Sequence, residues 1–565
     1  MAGRGRRVSA VCLTVGLLAL LLHDKNVLAQ LAERSTTSRG VGETTVGKPA
    51  TRSRGESTTV TSTGGGTSEL QGWNLNPRLI IGETYSDNVF LDPPGEEESD
   101  FVTQINPGIS VNRQGGRLGF NLDYLMQNLF YARNSSANDT NHLLQSNGTA
   151  ELLRDRFFVD GNASIRQVFI SPEGRTRISA DQLDPFGGLG RGFSVGASLG
   201  NNISGNENRT TAFNYGISPY WTSEFFGYAE LLARYRYQKA QFSGGGGDDT
   251  QDEGEDGNQI NTIEVNLNSG RRFVFTEWQL NYFYSKLDAE NDNDSRDERV
   301  EGQFSYALNR MWNLIARGGY DNSESTTLRA DTGAFWALGA EWIPNRFFQL
   351  NGLYGLNDNE IRLRFSPTVR TLLEVSRRDL QVGIDPGVRW EGLLQHNTVH
   401  SNWSARYIDA PSSNVDVLSE VPVFATQEQD VIPGGTETLT EGEFRRKRFD
   451  ANVDYTGIRG RIAVNAYAEN RDRREEDEET IFGGGIGLSY RIFPKTRAVW
   501  GGAYERDEPD SDTQDNLWTT GIGLIIDHRT DLQSAIGYQY SRSNSNQSDR
   551  EYRENRIGLR IDMTF

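Results

Sequence analysis

Few residues in this sequence are suited to chemistry, and their spacing argues against catalysis. His396 and His400 are four apart, a spacing that would join two imidazoles on a helical face for a metal but separates them by about 13 Å on a strand. His142 and His528 have no partner that spacing identifies, and no G-x-S-x-G, H-E-x-x-H or phosphate-loop pattern occurs. Clustered carboxylates in Ser243–Asn258, Asp288–Arg299 and Arg471–Glu479 offer oxygen ligands for a divalent cation. The stretch within Asp288–Arg299 lacks the ligand spacing and closing glutamate of a calcium loop, so a solvated, self-repelling surface is the better reading. The expectation is a protein that is not an enzyme and has no metal or cofactor.

The remaining chemistry lies in charges that alternate with apolar residues. In ENRIGLRIDMTF, Arg556, Arg560 and Asp562 fall between Ile557, Leu559, Ile561, Met563 and Phe565. Glu230, Arg234 and Arg236 share one side of a second such segment, and Asp385, Arg389 and Glu391 one side of a third. Period two is the pattern of a strand with one apolar and one wet face. If the apolar side meets lipid, these nine residues line a lumen, either as cross-strand structural ladders or as a means of selecting cargo.

The elements that would position them follow from the rest of the chain. Arg4, Arg6 and Arg7 precede an apolar run from Ala10 to Leu22 and a small-residue site, Val27-Leu28-Ala29. This is the form of a secretory leader cleaved between Ala29 and Gln30, and the run is too short for a membrane anchor. The only cysteine, Cys12, lies inside that run, so the mature chain has no disulfide. Loss of Met1–Ala29 removes four cations and one acid and moves the net charge from -19 to -22, which disfavours nucleic acid as a partner. Residues 30–71, rich in Ser, Thr and Gly, read as a disordered periplasmic tail.

From Trp73 to Phe565 the chain consists of alternating segments joined by sharply unequal links. Short ones, such as Asn112–Arg117, Ile343–Arg346, Phe493–Thr496 and Asp527–Thr530, alternate with the acidic stretches above and with Asp409–Gly442. Past the leader there is no apolar run long enough for a spanning helix, so a spanning chain must close as a barrel. The expected fold is all-β, an antiparallel transmembrane barrel of about 22–24 strands in a Gram-negative outer membrane, with long acidic extracellular loops. Tyr85, Tyr131, Tyr237, Tyr407, Tyr504 and Tyr540 lie near strand ends, as interface aromatics do. The final strand, with Tyr552, Ile557, Gly558, Leu559, Ile561, Met563 and the terminal Phe565, resembles the signal read by the barrel-assembly machinery.

Pro77–Leu91, Pro107–Tyr124, Val168–Arg175, Gly216–Tyr235 and the repeated turn hairpins resemble the outer-membrane β-barrel family associated with PEP-CTERM/exosortase systems. The resemblance spans Trp73–Phe565. It implies export or surface handling of exopolysaccharide and transfers no catalytic residues. Expected partners are the lipid bilayer, lipopolysaccharide, the assembly machinery, a polysaccharide and a periplasmic export partner docking on the tail.

Three functions stay open at this stage: a polysaccharide conduit, a general diffusion porin, and a structural or adhesive barrel holding polymer through its loops. Inward aromatic tracks favour the first, an open ring of charges the second, and a lumen filled by paired side chains the third. Twenty-four strands at about 4.8 Å spacing and 40° tilt give a circle about 48 Å across. Such a bore would leak, so 171–208 and 409–442 are expected to fold inward or over the mouth.

Overall fold

The computed structural model describes residues 72–113, 115–169, 203–205, 209–243, 257–289, 294–413, 443–472, 478–509 and 513–565. The leader, its cleavage point and the 30–71 tail lie outside them. The chain begins with β1 (Trp73–Ser86), β2 (Asp100–Arg113), β3 (Leu118–Tyr131), β4 (Asp139–Leu153), β5 (Phe157–Phe169), β6 (Arg209–Phe225), β7 (Ala229–Ser243) and β8 (Gly257–Ser269). There follow β9 (Thr276–Asp288), β10 (Ser295–Ala307), β11 (Trp312–Ser325), β12 (Ala330–Asp331), β13 (Gly333–Asn345), β14 (Phe348–Leu356), β15 (Asp358–Thr368) and β16 (Thr371–Leu380). Next come β17 (Gly383–Ile384), β18 (Gly387–Asn397), β19 (Ser401–Ser413), β20 (Glu443–Thr456) and β21 (Gly460–Asp472). The chain ends with β22 (Glu479–Phe493), β23 (Thr496–Glu508), β24 (Asp515–Arg529), β25 (Leu532–Ser545) and β26 (Tyr552–Thr564).

Twenty-four of these strands form one antiparallel sheet, and β12 and β17 form a separate two-stranded ribbon. Each wall strand pairs with its sequence neighbours in the wall. The sheet closes where β26 meets β1, from Arg78 opposite Thr564 to Ser86 opposite Arg556. The Phe565 amide also donates to the Pro77 carbonyl at 2.9 Å. Closure leaves no free edge strand, since each wall strand is hydrogen-bonded to a neighbour on both sides, as a bilayer demands.

Side-chain alternation separates the two faces. On β26, Ile557 and Leu559 are more than half exposed, whereas Arg556, Arg560 and Asp562 are nearly inaccessible. On β24, Trp518, Ile522 and Leu524 point out between buried neighbours. Repeated round the wall, this gives an outer belt of apolar side chains far larger than a water-soluble surface carries. The protein is a large outer-membrane β-barrel. Trp312, Trp342, Phe348 and Phe365 continue one another at the periplasmic rim, with ring centroids 6.0, 5.6 and 6.4 Å apart, as an aromatic interface girdle does.

The wall has a sharp corner at β13–β15. A Cβ added to Gly339 would sit 1.9 Å from the Gly352 carbonyl oxygen, and one added to Gly355 would sit 1.9 Å from that of Trp336. Only glycine permits the backbones so close. At the outer rim β14 turns into β15 through the single residue Asn357, whose φ of 58° suits asparagine.

Several expectations change. The charge runs read as loops begin or end inside strands: Asp409–Ser413 belong to β19, Ser295–Arg299 to β10, Arg471–Asp472 to β21 and Glu479 to β22. Cross-strand ion pairs let the ladder continue through these charged sequences. Tyr131 faces inward and packs with Val89, Val102, Leu129 and Ile203, because its hydroxyl donates to the Ile203 carbonyl at 2.8 Å rather than to interfacial water. His400 lies in the turn after β18, its Nδ1 3.3 Å from the Thr456 carbonyl oxygen, so it shares no strand with His396.

Candidate functional site: the inner wall of the barrel

Arginines and carboxylates from widely separated strands converge on the inward face of β10–β16. Arg317 on β11 donates from Nε to Asp358 Oδ2 at 2.8 Å and lies 2.7 Å from Glu360, both on β15. Arg378 on β16 reaches Asp358 at 3.0 Å and Glu301 on β10 at 3.5 Å. Arg299 pairs with Asp321 at 2.6 Å. On a circle about 48 Å across, β10 and β16 would be about 29 Å apart, farther than an arginine and a glutamate together can span. The glycine corner removes that distance and folds β10–β16 into a lobe tied across its own interior.

The β12–β17 ribbon lies against this lobe. A Cβ on Gly383 would come within 2.8 Å of Arg299 Nη2 and 3.1 Å of Asp321 Oδ2, and its φ of 98° also requires glycine. Val382 packs with Phe335 and Leu380 beside it. Asp385 lies in the connection after the ribbon, not on a wall strand as expected, because positive φ values at Gly383, Asp385 and Gly387 break the extended run. Burial raises the Asp385 carboxyl above the ordinary aspartate range, opposed by Arg445 3.4 Å away and by Arg389. Arg389 donates to the Asp385 carbonyl at 2.9 Å, and Glu391 lies on the same face of β18.

The wall parts just beyond this point. Pairing of β18 with β19 stops at Glu391 opposite Ile408, while β19 and β20 stay paired to Ser413 opposite Glu443. Arg445 spans the gap, donating to the Val388 carbonyl at 2.9 Å and to Asp409 at 2.8 and 3.0 Å.

A second charged group lines β20 and β21, where the buried Glu469 carboxylate receives Arg446, Arg448 and Arg471 at 3.2, 2.7 and 2.9 Å. A third lies at the closing seam, where Arg78 and Asp562 are paired. There Glu554 accepts from Ser86 and Ser204, and Arg556 donates to Gln539. Ile203–Gly205 sit against this inner wall, and the rest of 171–208, like 414–442, lies outside the described residues. Tyr552 and Gly558 share the inward face of β26 with these charges, whereas Ile557, Leu559, Ile561 and Met563 face out.

The remaining sector is different. Arg234 lies 3.9 Å from Asp160 and over the Tyr220 ring at 4.6 Å, Arg236 lies 3.7 Å from Glu264, and Glu230 stands on the same face of β7. This wall also carries many uncharged Asn, Ser, Thr and Gln: those in the periplasmic half of β1–β5 are half-buried or exposed, whereas Gln104, Asn106, Gln127, Asn214, Thr262 and Ser285 are buried. Sequence reading missed Arg317, Arg378, Asp358, Glu360 and Glu469, and also a row of asparagines on β1–β5. The charged residues carry a period-two signal like the nine named ones, but only the register reveals the asparagine row. Among the described residues no three His, Cys, Asp or Glu side chains group as a metal site, and no helix is long and apolar enough to cross a membrane.

No family model and no curated protein sequence matches the chain. Among solved structures it is similar to the siderophore receptor PirA from Acinetobacter baumannii, at 10% identity and a TM-score of 0.39 over 86% of this chain and 80% of that one. It is also similar to a variant of the ferric enterobactin receptor PfeA from Pseudomonas aeruginosa, at 9% identity and a TM-score of 0.41 over 87% and 80%. The FrpB iron transporter from Neisseria meningitidis gives 10% and 0.41 over 87% and 82%. At such identities and scores the likeness extends to neither cargo nor mechanism.

Proposed function

We propose that this barrel serves the export or surface handling of an exopolysaccharide, the role implied by its resemblance to the PEP-CTERM/exosortase-associated barrels. The supporting observation is the division of the inner wall. Strands β10–β16 are tied shut by buried ion pairs, while the periplasmic half of β1–β5 presents accessible amides and hydroxyls, among them Asn74, Ser110, Asn121, Asn147 and Thr149. Hydroxyl-rich polymers are held by such neutral donors and acceptors, together with aromatic faces. A general porin would present an open ring of charges, whereas the charges of this lobe are paired with one another. The filled lobe fits the third role, a structural or adhesive barrel, but accessible amides inside the periplasmic half favour a polymer that enters the lumen.

The test is deletion of the gene in its native host, followed by measurement of polymer on the surface and in the periplasm. The expected result is loss of surface polymer with retention inside. Unchanged surface polymer, with small solutes entering more slowly, overturns the proposal in favour of a porin.

A further inference from the structure

Five asparagines stand in one row on adjacent strands. Asn74 on β1 is opposite Asn112 on β2, which is opposite Asn121 on β3. Asn121 is in turn opposite Asn147 on β4, and Asn147 opposite Asn162 on β5. All five belong to the inward face, in the periplasmic half of the barrel, and none is fully buried. At about 4.8 Å per strand the row is about 19 Å long.

Each amide offers two donor hydrogens and two acceptor lone pairs. Along the row Asn112 donates to Asn121, and Asn121 donates to Asn147 at 3.2 Å. Even Asn121, bonded on both sides, therefore keeps one N–H and one lone pair. The row is an uncharged track of hydrogen-bonding groups facing the lumen.

A second feature adjoins its far end. Phe158 on β5 and Tyr220 on β6 stack with centroids 5.0 Å apart and planes 13° from parallel, both half-buried. Arg234 covers Tyr220, and Asp160 lies between the pair and the row, accepting from Thr149 at 2.9 Å. Tyr220 is held between Phe158 and Arg234, so it is the second face of Phe158, beside amides and one carboxylate, that suits a pyranose ring, whose C–H face is apolar and whose edge carries hydroxyls.

We infer that the asparagine row and the Phe158–Tyr220 pair together form a binding track for a neutral saccharide chain on the periplasmic side of the lumen. The track rests on the polysaccharide reading above and specifies it. The polymer is uncharged, because the row itself holds no cation to meet an acidic sugar, and Arg234 and Arg236 on β7 face Asp160 and Glu264.

The experiment is calorimetric binding of maltoheptaose, with dextran sulfate as an anionic comparison, to the full refolded chain in detergent. Asn121→Ala/Asn147→Ala and Phe158→Ala/Tyr220→Ala are measured beside it, and heat-modifiable gel migration reports folding. The expected result is maltoheptaose binding that weakens about tenfold or more in each folded variant, the first losing amide hydrogen bonds and the second the aromatic face. The inference is overturned if the parent binds only dextran sulfate or neither probe. It is equally overturned if the variants bind as the parent does and change only melting temperature, which would make the row a structural ladder. Polymer export lost on gene deletion with unaltered binding in the variants rejects the track alone; saccharide binding without an export defect rejects the export role alone.

Discussion

At the residue scale, charge occupies two settings in this barrel, an exposed turn and the buried inner wall, that differ in consequence. The exposed pair Arg271–Glu224, at 3.0 Å, sits in water, where its attraction is screened and its side-chain entropy lost. Such a pair contributes less than about 1 kcal/mol, so Arg271→Gln should leave stability nearly unchanged. Glu469 is different, being fully buried and facing Arg446, Arg448 and Arg471. Removing one partner from a buried ionic group leaves uncompensated charge and costs about 3–5 kcal/mol. Glu469→Ala is therefore expected to lower the urea midpoint of the refolded barrel strongly. Equal midpoints for the Glu469 and Arg271 variants would mean that water reaches the Glu469 cluster freely.

At the scale of elements, the decisive feature is the β13–β15 corner. Gly352 and Gly355 are three residues apart on β14, yet a Cβ on Gly352 meets nothing within 4 Å while one on Gly355 meets the Trp336 carbonyl oxygen at 1.9 Å. Relief requires backbone movement, and overpacking of this kind costs about 1–3 kcal/mol or more. Gly355→Ala should therefore reduce the heat-modifiable, folded fraction on gels, and Gly352→Ala should not. Equal folding of the two would show that the corner opens easily. This contrast also marks the limit of sequence reading. Strand existence and facing were legible, because Ile557, Leu559 and Ile561 alternate with Arg556, Arg560 and Asp562 in a period that only a two-faced strand explains. The corner was not, since glycine in a strand indicates close approach without naming the neighbour. Nor were the asparagine row, which depends on the exact register of five consecutive strands, and the Arg378–Glu301 tie, which joins strands far apart in the chain. Asp385 was misplaced for a local reason: its segment keeps the alternation, but positive φ values on both sides turn it off the wall.

At the scale of the whole molecule, the ties across β10–β16 determine how much of the enclosed area is open. A circle of twenty-four strands, about 48 Å across, would hold a wide aqueous column. The lobe withdraws part of it, since Arg317 bridges β11 to β15 and Arg378 bridges β16 to β10. These bridges are buried charged contacts, so cutting them removes both the attraction and the reason for the inner faces to stay together. In a planar bilayer the refolded chain is expected to conduct far less than a water-filled cylinder of that diameter. The double variant Arg317→Ala/Arg378→Ala, still folded by gel migration, should conduct more, with larger current fluctuations as the lobe loosens. If the parent already conducts like an open cylinder, the ties do not narrow the pore. If the folded double variant conducts as the parent does, the glycine corner alone holds the lobe, and the ion pairs follow the shape of the wall without setting it.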